Sequence, residues 1–359
     1  MKILAVIPSL HRGGAERVMS LLTQQWESEA HEVVLAVFDA SAPAYLHGGR
    51  LVDLRSASRG GTAAKAWKAL ARTSRLWRLM RQERPHHIVT FMESANFPAA
   101  LAAALAGCRD RLAVSVRNDP ARFPPLQRVL MRLLYLVPAR VVAPSQGVAG
   151  ALVQMGLPAS RVRSIPNPVL PGAQARPQPQ DAPPPACPFV LAVGRLHPQK
   201  GFDRLLQAFA RLEDRGQLLV ILGEGAQRAA LEDQARALGI APRVRLQGNV
   251  ADPRPWYEAA RCFVLSSRHE GWPNVLMEAL ACGCPAVSFR CDYGPGEIVE
   301  GHLSGLLVDE GDIDALARAI QEILDDEPLR HTLQHNGRLR AAHFAPHLIA
   351  QRWIAHDHE

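Results

Sequence analysis

Few cysteines, few aromatics and no long apolar run mark this chain, and each shortage excludes something. The six cysteines (Cys108, Cys187, Cys262, Cys282, Cys284, Cys291) form no C-x-x-C pair and no zinc spacing. They are expected to be reduced, part-buried thiols and not a disulfide frame. No apolar run reaches the ~18 residues that cross a bilayer, and the nearest, around residues 99–106, is short and Ala-rich. The start, MKILAVIPSLHRGG, lacks a small-residue cleavage pattern and reads as a first strand, which points to a cytoplasmic protein. Aromatics make up 6%, and neither a stacking platform nor a nucleic-acid-binding motif is visible. His331/His335 and His343/His347 share the i, i+4 spacing of chelating pairs. With no third ligand in view they read as surface histidines, and no metal is expected.

Apolar residues are plentiful, at 48% of 359, enough for two globular cores and too many residues for one. Charge is uneven. Residues 1–168 carry 22 Lys+Arg against 10 Asp+Glu, a net +12, and residues 169–359 carry 19 against 24, a net −5. A basic first half suggests an anionic partner there: a membrane surface, a phosphorylated substrate or nucleic acid.

Short β-rich runs alternate with helical stretches from the first residue. KILAVI (2–7), HEVVLAVF (31–38), HIVTF (87–91), LAVSV (112–116) and RVVA (140–143) read as strands. Near-continuous apolar strands in βαβα order predict a doubly wound parallel sheet. A proline-rich stretch, PNPVLPGAQARPQPQDAPPPACP (166–188), then reads as a linker. The rhythm restarts with FVLAV, QLLVIL, RVRL, CFVLS, PAVSF and GLLV. The expected domains are residues 1–168, a linker 169–187, residues 188–340, and a C-terminal helix in 341–359 that packs back on the first domain. Ligands are expected at the carboxyl ends of the strands, in a cleft between the two Rossmann-like domains.

Three stretches of the second half carry candidate chemistry. In VGRLHPQKGF (193–202) Gly194 turns the chain after a strand, and Arg195 and Lys200 flank a helix start near Gly201. Two cations beside free helix N–H groups suit a diphosphate, although a solvated basic loop would read the same. LGEG (222–225) ends another strand, where glycines admit close backbone approach or simply turn the chain. In RHEGWPNVLMEALACGCP (268–285) Glu270 follows a strand, Gly271 and Pro273 forbid helix, and Asn274 is a good N-cap for a helix ending before Gly283. Glu278 falls about one turn inside. Two carboxylates around a helix N-terminus suit a ligand that carries hydroxyls and phosphate, whereas a local cap and a surface carboxylate are the plainer alternative.

Taken in order, GGAER (13–17), IPNP (165–168), VGRL…QKGF (193–202), LGEG (222–225), Glu270-x7-Glu278 and GPGEI (294–298) resemble the family-four retaining glycosyltransferases of the GT-B fold, and the likeness spans most of the chain. It implies an α/β fold of two Rossmann-like doubly wound parallel-sheet domains facing across a cleft. It further implies that Arg195 and Lys200 bind the donor diphosphate, Glu270 the donor-sugar hydroxyls and Glu278 the ribose. Gly13 and Gly14 would approach donor phosphate or acceptor. Gly194, Gly271, Asn274, Val275, Leu276 and Asn249 complete the expected donor pocket, with base recognition in backbone around residues 247–250. The family works without a metal motif, so no metal or other cofactor is implied. A UDP-sugar is favoured over a GDP-sugar, because the likeness is to lipid-linked N-acetylgalactosamine transferases. Trp272 stands where many relatives have Phe or Tyr. Some relatives place a His or Asp near the sugar after the fourth strand of the first domain, and in SVRNDP (115–120) Asn118 or Asp119 is the expected counterpart.

Residues 64–84, AKAWKALARTSRLWRLMRQER, set Lys65, Lys68, Arg72, Arg75, Arg78 and Arg81 at spacings of three and four between apolar residues. A second stretch, FPPLQRVLMRLLYLVPAR (123–140), mixes Leu, Met and Tyr with Arg128 and Arg132. Either could pack on the sheet or attach to an anionic membrane that holds a lipid-linked acceptor. A nicotinamide-dependent dehydrogenase is disfavoured, because HRGGAER lacks G-x-G-x-x-G spacing. A nucleic-acid-binding protein, which the pI of about 9.4 allows, lacks a motif. A non-catalytic nucleotide binder would not need Arg195, Lys200, Glu270 and Glu278 together.

Overall fold

The computed structural model describes residues 1–359 except 12, 42, 57–61, 171–182, 302 and 356–359, and for residues 62–68 the backbone alone. The chain divides into two compact units, Met1–Pro168 with Pro346–Glu359, and Val169–Ala345. Most of the expected proline-rich linker lies outside the described residues.

The first unit holds β1 (Lys2–Ser9), β2 (Glu32–Asp39), β3 (Arg50–Asp53), β4 (His87–Phe91), β5 (Leu112–Ser115), β6 (Arg140–Ala143) and β7 (Val162–Ser164). Every pairing is parallel, and the order is β3-β2-β1-β4-β5-β6-β7. Between the strands run α1 (Gly14–Ser28), α2 (Thr62–Glu83), α3 (Glu93–Ala106), α4 (Pro125–Leu134) and α5 (Gln146–Gln154). Strands β1 and β2 are buried along almost their whole length, as a sheet covered on both faces requires. Because the chain winds one way from β1 to β3 and the other way from β4 to β7, the order reverses between β1 and β4.

The second unit repeats the plan. It comprises β8 (Phe189–Val193), α6 (Phe202–Phe209), β9 (Leu218–Leu222), α7 (Arg228–Ala237), β10 (Val244–Gly248), α8 (Arg254–Ala259), β11 (Cys262–Leu265), α9 (Asn274–Ala281), β12 (Ala286–Arg290), α10 (Pro295–Ile298), β13 (Leu306–Asp309), α11 (Ile313–Asp325) and α12 (Glu327–Ala342). Its parallel sheet runs β10-β9-β8-β11-β12-β13, with the reversal between β8 and β11. Val190, Ala192, Ile221, Val264 and Phe289 meet Leu205, Leu206, Phe209, Ile320 and Ile323 in its core.

The last helix, α13 (Pro346–Ile354), belongs to the first unit. The buried Trp26 donates its indole N–H to Ala350 O at 3.1 Å, and Trp353 packs on Phe91 with centroids 5.4 Å apart. Arg140 donates to Trp353 O at 3.0 Å and Ala355 O at 2.9 Å, closing carbonyls that the helix end leaves open.

Candidate functional site

The second sheet reverses its winding between β8 and β11, and the loops leaving those two strands are laced together. After β8 the chain passes Gly194 and the exposed Arg195 into a short 3₁₀ turn, Pro198–Lys200, then bends at Gly201 with φ of 63°. A Cβ on Gly201 would sit 2.1 Å from Ser266 O, so only glycine lets the loops touch. Ser266 Oγ donates to Lys200 O at 2.9 Å, Arg268 N to Gln199 O at 2.8 Å, and Gln199 Nε2 to His269 O at 3.0 Å. Arg268 grips the Asp203 carboxylate with two nitrogens at 2.8 and 2.6 Å, which holds that carboxyl below its ordinary range and pins the first turn of α6.

This lacing brings Lys200 to Glu270. Lys200 Nζ lies 2.6 Å from Glu270 Oε1, and Ser267 Oγ donates to the same oxygen at 2.7 Å. The side chains are 16% and 8% exposed, so water screens the pair little. Removing one partner of such a pair strands a buried charge, at a cost of about 3–5 kcal/mol. Arg195 forms no ion pair with any described residue, and its charge stands open at the end of β8.

Glu278 is buried on α9, where Tyr257 Oη donates to its Oε2 at 3.3 Å. Tyr257 is itself fixed against Phe263 at 5.7 Å. The cap of α9 differs from the sequence expectation. Pro273, in an extended conformation, takes the N-cap with no side chain to cap it, and Asn274 is the first helical residue. The N–H groups of Leu276 and Met277 already donate to Pro273 O at 3.0 and 3.4 Å, so Leu276 brings no free donor to a ligand. Gly294, with φ of 90°, lets GPGEI press on this entry, where a Cβ would meet Pro273 Cδ at 2.7 Å.

The LGEG glycines have a structural task. A Cβ on Gly223 would sit 2.0 Å from Gly194 O, and one on Gly225 2.4 Å from Leu196 O. They seat the loop after β9 on the loop after β8. Asn249 is exposed just past β10, two strands from β8. The structure thus groups Gly194, Lys200, Glu270, Gly271, Asn274, Val275, Leu276 and Glu278 about the β8/β11 reversal, whereas Gly13 and Gly14 lie in the first unit. No cluster of three His, Cys, Asp or Glu side chains suited to a metal occurs among the described residues. A D-x-D spacing does occur, Asp312-Ile313-Asp314. Its Asp312 caps α11 by accepting from Ala315 N at 2.8 Å, and Asp314 pairs with Arg211 at 2.6 Å.

In the first unit Gly13 is the extended N-cap of α1 and Gly14 its first residue, at the β1/β4 reversal. Here the structure gathers groups the sequence reading missed. Met92, with φ of 73°, turns the chain out of β4, and the buried Glu93 Oε1 has no hydrogen-bond partner among the described residues. Burial lifts the Glu93 carboxyl to about 7 and raises Glu16 as well. Both carboxyls feel Arg117, which burial lowers to about 10. Arg117 lies 4.5 Å over the Phe91 ring and donates to Asn167 Oδ1 at 2.6 Å. Of the expected counterparts, Asp119 Oδ1 accepts from Ala121 N at 2.9 Å with its other oxygen 3.3 Å from Arg122, and Asn118 is exposed. The missed signal was Glu93, two residues past the apolar strand HIVTF.

Both halves match family models: residues 12–171 that of Glycosyltransferase Family 4, and residues 178–340 that of Glycosyl transferases group 1. The fold is that of GT-B glycosyltransferases; HepE of Anabaena, solved with UDP and glucose, superposes with a TM-score of 0.80 at 22% identity over 98% of each chain. The chain belongs to the family-four glycosyltransferases. Among its relatives, the lipopolysaccharide core biosynthesis glycosyltransferase LpsE of Rhizobium meliloti is 42% identical over 42% of this chain, a stretch that spans only 43% of LpsE. A Campylobacter jejuni alpha-1,4-N-acetyl-D-galactosaminyltransferase, named for a GalNAc-containing undecaprenol-diphosphate glycan, is 28% identical over 99% of this chain and 97% of its own length.

Proposed function

We propose that this chain is a retaining, metal-independent glycosyltransferase. It moves a hexose or N-acetylhexosamine from a nucleotide-diphosphate sugar, UDP-sugar in preference, to a lipid-linked or cell-surface glycan acceptor. The observation that carries this reading is the Lys200–Glu270 pair at the β8/β11 reversal, 2.6 Å apart, beside the open Arg195 and the N-terminus of α9. Lys200 and Arg195 take the diphosphate, and Lys200 offsets the charge that develops as it leaves. Glu270 accepts from the donor-sugar hydroxyls, and Glu278, already bonded to Tyr257, accepts from the ribose.

In the transfer, the bond between the anomeric carbon and the β-phosphate oxygen breaks through an oxocarbenium-like transition state. The acceptor oxygen bonds the same face, and its proton passes to the departing phosphate. The two glutamates bind and orient; they are not a glycosidase acid/base pair. UDP is favoured because HepE was solved with UDP and glucose. A lipid-linked acceptor is favoured because the Campylobacter relative, aligned nearly end to end, is named for one. The place of action is then the inner face of the cytoplasmic membrane, with the chain attached peripherally.

Calorimetric titration with UDP and GDP tests the reading. UDP should bind, and Glu278→Ala should weaken it by about 1.5–3 kcal/mol, the scale of a charge-assisted hydrogen bond. Lys200→Ala should weaken it too. Unchanged UDP affinity in Glu278→Ala would remove the ribose role, and no binding of either nucleotide would remove the donor site.

A further inference from the structure

The first sheet's reversal holds charges that the proposed transfer does not use. Arg117 follows β5, Glu93 opens α3 and Glu16 lies in the first turn of α1. The guanidinium feels both carboxyls, yet no ion pair joins the three among the described residues. Arg117 is committed to other partners. Its Nη2 donates to Asn167 Oδ1 at 2.6 Å, its Nη1 lies 3.4 Å from Ser115 Oγ, and it stacks 4.5 Å over Phe91. Glu16 folds back over the start of its own helix, where a Cβ on Gly13 would sit 2.0 Å from its Oε2. Glu93 Oε1 is buried and has no partner among the described residues.

Charges kept only for stability would be paired. Held apart away from water they are a burden, and an unmet buried acceptor costs about 1–3 kcal/mol. Departures of this kind are retained where the groups await a ligand, and the reversal of an open parallel sheet is where ligands bind.

The groups themselves say which ligand. Carboxylates accept from hydroxyls, a guanidinium donates to oxygen, and a sugar offers both kinds of partner on adjacent carbons. Residues 1–168 are net +12, but at the reversal two carboxyls stand against one guanidinium. His11, which acts on Glu16, is exposed. The N-terminus of α1 would otherwise attract an anion, and the Glu16 carboxyl already occupies it. A ligand carboxylate or phosphate would therefore meet two like charges, with the offsetting guanidinium turned to Asn167 and Ser115.

We infer that Glu93, Glu16 and Arg117 form the subsite for the acceptor's terminal sugar and select an uncharged one. The two carboxyls accept from its hydroxyls, and Arg117 donates to a further oxygen. The inference rests on the proposed function, which supplies a glycan acceptor.

The test is saturation-transfer NMR at pH 8 in the presence of UDP. The probes are the methyl glycosides of glucose, galactose, N-acetylgalactosamine and glucuronic acid. Glucoside and glucuronide differ at C6 alone, so that pair reads charge. The natural chain should bind at least one neutral glycoside and leave the glucuronide unbound. Glu93→Gln, expected to be the more stable protein at this pH, should weaken the neutral glycoside about tenfold. Glu93→Gln combined with Glu16→Gln should reverse the preference, with glucuronide bound more tightly than glucoside, because Arg117 then stands alone. Carboxyls with a purely structural role would not reverse a charge preference.

No binding of any neutral glycoside, glucuronide bound as well as glucoside by the natural chain, or an unchanged preference in the variants would overturn the inference. UDP calorimetry on the same samples separates the two readings. UDP binding without glycoside selectivity refutes the subsite alone; absence of UDP binding refutes the proposed function, whatever the glycosides do.

Discussion

At the scale of single residues, Glu93 makes a pH-dependent demand on stability. Its carboxyl titrates at about 7 in the folded chain against an ordinary 4.5. Between those values the folded state keeps a proton that the unfolded chain has lost, so stability falls as pH rises through the window, and the full cost is present above 7. Glu93→Gln keeps the shape and removes the charge. Relative to the natural chain it should gain on the order of 2–3 kcal/mol at pH 8 and nothing near pH 4. Denaturant midpoints at the two pH values check this, and parallel profiles for both proteins would refute it. Glu93 also marks a limit of sequence reading. E-x7-E is visible as a spacing, and the structure seats Glu270 against Lys200 and Ser267 and Glu278 against Tyr257. The environment of Glu93 is made by burial and by Arg117, which is distant in sequence, so no local pattern announces it. Asp119 caps its own turn, accepting from Ala121 N, which its spacing after a strand does not disclose.

At the scale of elements, the strands with continuous apolar runs were legible, as were the second sheet's edges β10 and β13, and the first sheet's edge strands were not. β3, RLVD, has no fully buried residue, and β7, VRS, is three residues long. Both lie at sheet edges, where one side is unpaired and hydrophobic pattern is weak. Missing β3 also shifted the strand count: the fourth strand is β4, followed by Glu93, and not the strand before Asn118. Helix α4 was legible as amphipathic, but its direction was not, because periodicity gives a stripe without saying which side the domain covers. The β8 loop carries a sharper prediction. Gly201→Ala combines a left-handed backbone with a Cβ 2.1 Å from Ser266 O, so it should cost about 2 kcal/mol or more. It should also loosen the Lys200–Glu270 contact. A lowered melting temperature with weakened UDP binding is expected, and a melting temperature equal to that of the natural chain would contradict the account.

At the scale of the whole molecule, two sheets wound alike place their reversals at β1/β4 and β8/β11, where open parallel sheets bind ligands. The second reversal holds the Lys200–Glu270 pair and Glu278; the first holds Gly13, Gly14, Glu16, Glu93 and Arg117. The doubly wound plan followed from apolar runs and loop glycines alone. Donor base, sugar and acceptor did not, because backbone loops and pocket shape select them. The most direct test of glycosyl transfer is a label-transfer assay. The chain is incubated with radiolabelled UDP-hexose or UDP-N-acetylhexosamine and a bacterial lipid extract, with Glu270→Gln alongside, and the linkage formed is read by NMR. Label should enter the lipid phase with release of UDP and the anomeric configuration of the donor preserved, and Glu270→Gln should slow this at least about a hundredfold. Inversion at the anomeric carbon, or equal transfer by Glu270→Gln, would contradict the account.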